Sequence, residues 1–458
     1  MKRQGVDVVS IAKNDIFEVT ILDMNNLGAG VAKIDGMTVF VRGAVTGDIC
    51  RIRIIKVLTS YAVAIIEELL QSSVHRISSG CAVRGCGGCV YQNISMDYEN
   101  ELKRAYVENA FRKAGLKDVT VQNVKYAGNS IGYRNKAQYP FAKDKKTGEV
   151  YFGFYREKTH DVVRCPNCAV MPEIFSEIAA ASAAFFTAHD ISVYDEKSGQ
   201  GLLRHLYLRL AETTGDVMVC FVINGKDLPQ REMLTAQLTA KFPTIRSIWL
   251  NRNEKNTNVI LGKDYRLLFG DPYLTDSILS RKFRISPQSF YQVNRRACEI
   301  LYAEAGAQLD AKENETVLDL YCGIGTVGIC VASNAKRLIG AEIVPEAVEN
   351  ARENARLNGL SNTEFLSCDA DNLDIFAFGQ PDAIIVDPPR KGLSPGVRQA
   401  IAMSGANRLL YISCNPDTLA RDAAYFAENG YRLGPVTPVN LFPRTGHVET
   451  VVLLRREI

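Results

Sequence analysis

The stretch TVLDLYCGIGTVGICVA, residues 316–332, decides how the C-terminal part of this 458-residue chain is interpreted. It begins as an apolar strand, passes through a glycine-rich turn and continues as the start of a helix. The pattern is typical of nucleotide-binding α/β folds, in which Gly323 and Gly325 would let the backbone approach a ligand at the helix N-terminus. Because many strand-to-helix turns carry glycines, this turn needs support from the strands that follow it.

Acidic residues end three further strands that are predicted downstream of this turn. RLIGAEIV contains Glu342, TEFLSCDA leads to Asp369, and DAIIVDPPR leads to Asp387. Open α/β sheets bind ligands at the carboxyl ends of their strands, so we expect these acids at one edge, together with the first turn. Glu342 stands where an acid would hold ribose hydroxyls. The pattern therefore predicts a doubly wound parallel sheet with a nucleotide-like ligand.

This series resembles the class I S-adenosylmethionine-dependent methyltransferases, from about residue 317 to the C-terminus. A nicotinamide-binding fold is the alternative, because residues 323–328 formally satisfy G-x-G-x-x-G. The tripeptide Asp387-Pro388-Pro389 favours the methyltransferase, since base-modifying methyltransferases use it to shape a pocket beside the methyl donor. The resemblance implies a class I (Rossmann-like) methyltransferase domain with S-adenosylmethionine as its cofactor.

The rest of the chain has two different patterns. Residues from about 15 to 70 alternate apolar and polar side chains between Gly or Asp turns, which predicts a small antiparallel barrel. Within it, GDICRIRIIKVLTSYAVAII resembles the TRAM domain, an OB-like, RNA-binding barrel of RNA-modifying enzymes; a barrel that only packs is the alternative. A polar helix and hairpin signals such as RHLYLRLAETTGDVMVCFVING predict an α+β domain in the middle. We expect an α/β protein with domains at 10–71, 72–286 and 287–458.

Composition limits the compartment and the partners. No stretch approaches eighteen consecutive apolar residues and the start lacks the apolar core of a signal peptide, so we expect a cytoplasmic monomer without membrane contact. In a reducing compartment the twelve cysteines would be metal ligands, a nucleophile or buried thiols. The net charge of +3 is weak evidence for a polyanionic partner, so an RNA-binding face would come from local clusters. The candidates are Arg134, Lys136, Arg156 and Lys158.

Cys414 stands where the predicted fifth strand, RLLYISC, ends and an Asn-Pro turn begins. A small buried thiol is the ordinary interpretation of such a cysteine. Amine-directed methyltransferases place an aromatic residue after Asp/Asn-Pro-Pro, whereas Arg390 stands there, which leaves carbon as a candidate target. Carbon 5 of a pyrimidine becomes nucleophilic only after a thiolate adds to carbon 6, and Cys414 could supply that thiolate.

Glu449, in the element HVET, enters the last predicted strand. In the class I fold the seventh strand lies antiparallel between the fifth and the sixth, so Glu449 should approach Cys414. A carboxylate there could remove the carbon 5 proton after methyl transfer. Alternatively, Glu449 or His447 is only a polar residue at a strand entrance.

The elements DPPRKG, SCNP and HVET together resemble the RNA uracil-5-methyltransferase family. The resemblance implies Cys414 as nucleophile and Glu449 as base. It also implies a set of S-adenosylmethionine contacts: Gln292, Tyr321, Gly323, Gly325, Glu342, Asp369 and Asp387. The family's cytosine-5 relatives usually place a further cysteine after the Asp-x-Pro element, where this chain has Pro389 and Arg390. Uracil is therefore the expected base.

Five cysteines form two groups, CAVRGCGGCVYQ and VRCPNCAVMPE. The residues alone leave open zinc on two Cys-x-x-Cys pairs or an iron-sulfur cluster on three near cysteines and a distant one. Members of the resembled family that have a TRAM domain often carry a four-iron cluster, so the resemblance implies a [4Fe-4S] cluster, although the first gap is one residue shorter here. The implied ligands are Cys81, Cys86, Cys89 and Cys168, with Cys165 as the alternative to Cys168.

The resemblance as a whole implies an enzyme that makes 5-methyluridine in RNA. The barrel and the cysteine cluster favour 23S ribosomal RNA as the substrate by analogy. Transfer RNA, RNA cytosine-5 methylation and an RNA-binding protein without activity are the alternatives. The presence of Cys414, Glu449 and all the strand-end acids speaks against the last of these.

Overall fold

The structure is a computed structural model that describes residues 11–83 and 85–457. Within those residues the chain forms three main sheets and a separate two-stranded hairpin. None of the helices in these segments is long and apolar enough to span a membrane. The α/β class and the order of the predicted barrel, α+β region and doubly wound sheet along the chain are confirmed.

The first sheet curls around a small apolar core that includes Val39, Ile52 and Ala62. Its strands are β1 Ile16–Thr20, β2 Asp23–Met24, β3 Ala29–Ile34, β4 Met37–Arg42, β5 Ile49–Val57 and β6 Tyr61–Gln71. The backbone N–H of Leu22, just after β1, donates to the Val31 carbonyl of β3 at 2.8 Å, which joins the two ends of the sheet. The prediction of a purely antiparallel barrel is wrong for one pair. Strand β6 turns back from β5 and inserts beside β4, to which it is parallel.

The second sheet has one apolar and one polar face. The elements of this region are α1 Met96–Lys113, β7 Lys136–Lys143, β8 Val150–Tyr155, β9 Val162–Arg164, α2 Glu173–Ala188, β10 Leu203–Leu210, β11 Val217–Ile223, α3 Arg231–Lys241, β12 Ile245–Arg252 and β13 Asp264–Gly270. The strand order is β13-β12-β11-β10-β7-β8-β9. Helices α2 and α3 cover the face that carries Leu206 and Phe221. Because side chains alternate along a strand, His205, Tyr207 and Arg209 of β10 point to the other face.

The third sheet is doubly wound. Its region contains β14 Leu274–Ile278, β15 Arg281–Ile285, α4 Arg295–Leu309, β16 Thr316–Leu320, α5 Thr326–Val331, β17 Arg337–Glu342, α6 Pro345–Leu357, β18 Thr363–Ser367, the 3-10 helices Ala370–Asn372 and Ile375–Phe378, β19 Ala383–Val386, α7 Pro395–Met403, β20 Arg408–Ser413, α8 Pro416–Glu428, β21 Tyr431–Leu433, β22 Thr437–Val439 and β23 Glu449–Arg456. The order is β18-β17-β16-β19-β20-β23-β21, and β22 also pairs with β23. Strand β23 is antiparallel to both β20 and β21. The predicted position of the last strand, between the fifth and the sixth, is confirmed.

The three cores do not follow the predicted borders throughout. Helix α1, although it precedes the second sheet in sequence, packs on α8, and its Phe111 shares a core with Phe426. The β14–β15 hairpin lies against α6, where the Arg284 N–H donates to the Asn354 side chain at 2.8 Å. Segments of the predicted middle domain, 72–286, therefore complete the third sheet's layers.

Candidate functional site

The turn after β16 is held in an unusual backbone conformation. Tyr321, Gly323 and Gly325 all have positive φ, at 64°, 57° and 81°. A side chain on Gly323 would meet nothing within 4 Å, so that side of the turn is open for a ligand. A Cβ on Gly325 would instead approach the Ile329 Cδ1 of α5 at 3.0 Å. Gly323 therefore leaves room for a ligand, whereas Gly325 serves the turn and the packing of its helix.

Two acidic side chains accept hydrogen bonds from the backbone of this turn and of the helix that follows it. Glu342, at the end of β17, accepts from the Gly323 N–H at 3.1 Å and from the Val344 N–H at 2.9 Å. Asp319 of β16 is buried and accepts from the Gly328 N–H at 2.9 Å. The pKa of Asp319 is raised to about 8, chiefly by burial; the Gly328 hydrogen bond opposes the shift, and the nearby Asp387 and Glu342 add to it. The strand-end acids thus shape the turn itself as well as its electrostatic field.

Three other predicted cofactor residues, Tyr321, Asp369 and Asp387, follow the ends of β16, β18 and β19 at the same edge. Asp369 accepts from the Asp371 N–H at 3.1 Å and so begins the first 3-10 helix. Burial raises the pKa of Tyr321 to about 12, and the negative charges of Asp371 and Asp369 contribute. Asp387 follows β19, and burial raises its pKa to about 7. Gln292 is buried before α4, where its carbonyl accepts from the Asn135 side chain at 3.0 Å.

The register of two paired strands places Cys414 beside Glu449. Strands β20 and β23 pair antiparallel with Ser413 opposite Thr450, so the next position on the two strands belongs to Cys414 and Glu449. The Thr450 hydroxyl also donates to the Ser413 carbonyl at 3.0 Å. Side chains that stand opposite each other in a sheet share one face. The fold thus brings a thiol and a carboxyl together from segments that are separate in sequence.

Burial and like charge set the protonation of this pair. The pKa of Glu449 is raised to about 8, chiefly by burial and also by the neighbouring Asp387, while Arg390 opposes the shift. Burial also raises the pKa of the Cys414 thiol above its usual value, with Glu449 and Asp387 adding to the shift. Arg390 opposes this shift through its charge and a hydrogen bond to the sulfur. The site therefore favours a neutral Glu449 and a protonated Cys414 at low pH.

Arg390 is a site residue that the sequence analysis did not identify as such. Its Nη2 lies 3.3 Å from Nε2 of His447, and its carbonyl accepts from the Asn415 side chain at 2.9 Å. Its positive charge acts on both Cys414 and Glu449 and lowers the pKa of each. The available signal was its position three residues after Asp387, the acid that follows β19.

Helix α1 anchors the loop 440–448, which leads to Glu449. The Lys103 ammonium donates to Glu99 at 2.8 Å, to the Asn440 side chain at 2.6 Å and to the Phe442 carbonyl at 3.1 Å. Glu99 in turn accepts from the Arg444 N–H at 3.0 Å. Both members of this ion pair, Lys103 and Glu99, are almost fully buried. The sequence analysis missed this pair because Glu and Lys four residues apart usually lie on a solvated helix face.

Replacing Lys103 with methionine should leave buried Glu99 with only Arg444 as a cation, whose Nη1 lies 3.8 Å from its Oε2. We expect the free energy of unfolding to fall by about 3–5 kcal/mol, as for other broken buried ion pairs. Urea unfolding of both proteins would measure the difference. The matched control is Lys143→Met, which removes an exposed lysine that pairs with Asp190 and should cost less than about 1 kcal/mol. Equal, small losses in the two variants would contradict the anchoring role.

The cysteine-rich segments meet beside the second sheet. Cys86, Cys89 and Cys168 line one cavity, and Cys81 is close enough to act on the pKa of Cys86 and Cys89. Cys165 is buried; its hydrogen bond lowers the pKa of Cys168, and the backbone N–H groups of Val170 and Met171 also favour the thiolate. In residues 11–83 and 85–457, no group of three or more His, Cys, Asp or Glu side chains is arranged to hold a metal ion.

The predicted basic residues fall into two settings. Arg156 and Lys158, just after β8, are exposed. Arg134 and Lys136, before and at the start of β7, are partly buried and line the same cavity as the three cysteines. Only the first two therefore belong to an open surface.

Comparisons with known proteins agree with this architecture. Residues 13–66 match the TRAM domain, which confirms the predicted barrel type. Residues 311–410 match a methyltransferase domain, and residues 371–457 match "tRNA (Uracil-5-)-methyltransferase". The second of these matches spans Asp387, Cys414 and Glu449.

Relatives match nearly the whole chain. An uncharacterized RNA methyltransferase of Clostridium acetobutylicum is 37% identical over 98% of this chain and 99% of its own. One from Oceanobacillus iheyensis is 36% identical over 97% of each chain. Among solved structures, Pyrococcus abyssi tRNA (uracil-54, C5)-methyltransferase in complex with S-adenosyl-L-homocysteine is 26% identical, with a TM-score of 0.78. That match covers 96% of this chain and 100% of the other.

Proposed function

The chain belongs to the RNA uracil-5-methyltransferase family, and we propose that it methylates carbon 5 of a uridine in RNA through a covalent bond between Cys414 and carbon 6. It is an S-adenosylmethionine-dependent enzyme that acts on RNA. The observation that carries the mechanistic proposal is the strand register that sets Cys414 opposite Glu449, beside Asp387 and Arg390. A thiol, a buried carboxyl and a cation at a sheet's ligand-binding edge are what this chemistry requires.

S-adenosylmethionine, when bound, supplies the methyl group. The open side of the turn at Gly323 and the carboxylates that end successive strands fit such a group, which carries ribose hydroxyls and a cationic amine. The residues we propose to hold it are Gln292, Tyr321, Gly323, Gly325, Glu342, Asp369 and Asp387. Glu342 already binds the backbone of the turn, so it would orient the turn as well as contact the ligand.

Cys414 and Glu449 would perform the two covalent steps. The Cys414 thiolate adds to carbon 6, and the electron pair of the 5,6 double bond moves into an enolate, which makes carbon 5 nucleophilic. After carbon 5 has gained its methyl group, the Glu449 carboxylate takes the carbon 5 proton. The electrons of that C–H bond restore the double bond and expel the thiolate. Arg390, beside the sulfur, stabilises the thiolate at both stages.

The rate should increase with pH between about 6 and 8. Glu449 accepts a proton only when it is ionised, and its pKa is raised to about 8; the Cys414 thiolate also becomes more abundant as pH rises. Below the pKa each of these groups loses about tenfold of its active form per pH unit. Initial rates of transfer of a tritium-labelled methyl group to subsaturating RNA would give the dependence of the methylation rate on pH. RNA affinity determined at each pH is the control. A flat profile over this range would contradict the assigned base.

The function itself is tested by product analysis. The protein is incubated with RNA and labelled methyl donor, and the digested nucleosides are identified by mass spectrometry. We expect 5-methyluridine. Finding 5-methylcytidine would identify the cytosine alternative, and finding neither would favour an RNA-binding protein without activity.

We propose 23S ribosomal RNA as the substrate, on the analogy between this chain and TRAM-containing members of the family. Transfer RNA is the second candidate, since the P. abyssi neighbour acts on uracil 54 of tRNA. Separate digestion of ribosomal and transfer RNA from a deletion strain would distinguish them, because only one fraction should lack a 5-methyluridine. We further propose that the enzyme is a cytoplasmic monomer.

We also propose a [4Fe-4S] cluster on Cys81, Cys86, Cys89 and Cys168. Cys86, Cys89 and Cys168 share a cavity and Cys81 acts electrostatically on Cys86 and Cys89, which supports the proposal, although these thiols do not stand in a metal-holding arrangement in the described residues. Zinc is the alternative to the iron-sulfur cluster. Cys165 is the alternative to Cys168 as the fourth ligand. Iron, sulfide and zinc analysis of anaerobically purified protein would distinguish the two. No step of the methylation described above needs an electron from this group.

A further inference from the structure

Helix α6 carries a buried asparagine that helix formation alone does not explain. Asn354 lies in the last turn but one of α6, and its side chain is fully buried. Asparagine is a poor helix former, because its short amide competes with the backbone for hydrogen bonds. Burying an amide is also costly unless its polar atoms find partners. The position therefore indicates an amide that binds particular groups, and none of the methylation steps proposed above uses it.

The Asn354 side chain joins two segments that are distant in sequence. Its Oδ1 accepts from the Arg284 N–H of β15 at 2.8 Å. Its Nδ2 donates to the Ile324 carbonyl at 3.0 Å. Ile324 lies in the middle of the cofactor turn, residues 321–325, which follows β16. One amide thus connects the β14–β15 hairpin to the turn that would contact S-adenosylmethionine.

The two partners fix the chemistry of the residue between them. A backbone N–H can only donate and a carbonyl can only accept, so Oδ1 must face Arg284 and Nδ2 must face Ile324. Aspartate has nearly the same shape but would set a second acceptor against the Ile324 carbonyl. Leucine, of similar size, would leave both backbone groups without their partner. Of these three side chains, only asparagine offers one acceptor and one donor in the required places.

The cofactor turn is consequently held from two sides at successive residues. Glu342 of β17 accepts from the Gly323 N–H at 3.1 Å, and Asn354 binds the carbonyl of the next residue from α6. Helix α6 also packs directly on the turn, since a Cβ on Gly325 would lie 3.4 Å from the Cβ of Ala351. A backbone fixed in this way keeps the open side at Gly323 ready for a ligand, which lowers the entropic cost of binding.

A second asparagine of α6 binds the hairpin but not the cofactor turn. Asn358 accepts from the Lys282 N–H at 2.9 Å and donates to the Lys282 carbonyl at 2.7 Å. Strand β15 pairs with β14 in a two-stranded sheet, so the two asparagines bind backbone groups on its other edge. The hairpin leads into the segment that carries Gln292, another proposed cofactor residue. Asn354 therefore ties together two parts of the chain that would contact the methyl donor.

We propose that Asn354 is a positioning residue for S-adenosylmethionine. It holds the cofactor turn in the conformation that receives the methyl donor, and it links that turn to the β14–β15 hairpin. It acts through the Ile324 carbonyl and does not touch the donor. Because one amide joins the two segments, donor binding on the turn stabilises the docked hairpin, and docking of the hairpin strengthens donor binding by the same factor. The proposal rests on S-adenosylmethionine being the cofactor and not on which base is methylated.

The first test measures binding of S-adenosylhomocysteine by calorimetry, without RNA. We expect Asn354→Asp to bind it about tenfold more weakly, because the turn loses a buried hydrogen bond and gains a repulsive contact. The matched control is Asn358→Asp, which loses the corresponding bond to the hairpin. It should lower the melting temperature and leave the affinity unchanged. Unchanged affinity in folded Asn354→Asp would overturn the proposal, as would equal losses in the two variants, which would assign the effect to the hairpin alone.

A second measurement needs no variant. Amide hydrogen exchange of the wild-type protein is compared with and without S-adenosylhomocysteine. We expect slower exchange in the cofactor turn and also in β15, although β15 reaches the turn only through α6. Protection of the turn with unchanged exchange in β15 would contradict the link through Asn354. Neither measurement uses RNA, so a failure to make 5-methyluridine would refute the proposed function and leave these results independent.

Discussion

Replacing Cys414 with alanine should abolish formation of 5-methyluridine, lowering the rate by about 10⁴-fold or more. Without the sulfur, no bond forms to carbon 6, and carbon 5 remains too weak a nucleophile to accept a methyl group. Cys414 directly follows β20 and is only partly buried, so the shorter residue should leave the fold intact. Single-turnover methylation of the RNA identified by product analysis would measure the loss.

A covalent trap distinguishes chemistry from packing at Cys414. In RNA that contains 5-fluorouridine, fluorine replaces the proton that Glu449 would remove, so the adduct should persist and survive denaturing electrophoresis. We expect this adduct with the wild-type protein and none with Cys414→Ala. Cys50→Ala is the matched control, because Cys50 is a buried thiol in the first sheet, remote from the site. Turnover by the Cys414→Ala protein would show that the sulfur only packs.

Replacing Glu449 with glutamine should instead trap the enzyme after methyl transfer. The amide has the same size but cannot accept the carbon 5 proton, so adduct breakdown should slow by about 10²–10⁴-fold. Adduct formation should be much less affected, because Cys414, Asp387 and Arg390 remain. Rapid quench followed by intact-mass analysis would reveal a protein–RNA adduct that already carries the methyl group.

The control for this experiment is Glu364→Gln, which alters a half-exposed carboxylate on β18 that pairs with Arg337. It should release product at the wild-type rate. Normal release from Glu449→Gln would assign the proton to another base. If the adduct accumulates without the methyl group, Glu449 acts before methyl transfer, which contradicts the proposed order.

Much of the fold follows from local sequence features. The glycine turn in residues 316–332 predicts a strand followed by a helix because positive φ at Gly323 and Gly325 is a local requirement. The acids at the strand ends were predicted to share one edge, and the parallel pairing of β16, β17, β18 and β19 brings them there. Cys414 was placed at this edge for the same reason, because it follows the carboxyl end of a predicted parallel strand, β20.

Other features could not be predicted from local pattern. Helix α1 looks like a solvated amphipathic helix in sequence, yet its buried Glu99 binds Asn440, which is 341 residues away. The parallel pair of β4 and β6 depends on where a hairpin inserts, and alternation of side chains carries no information about that. Arg390 became the cation of the site only once β19, β20 and β23 were adjacent.

The sequence by itself determined which residues could perform chemistry and at which strand ends they stand, because turns and alternating patterns depend on neighbouring residues. The tertiary structure alone decided their ionisation and their neighbours. The pKa of Glu449 is raised to about 8 by burial and by Asp387, and Arg390 opposes that shift from yet another segment. Burial and charge act across space, so their effects on Cys414 and Glu449 appear only when strands distant in sequence lie side by side.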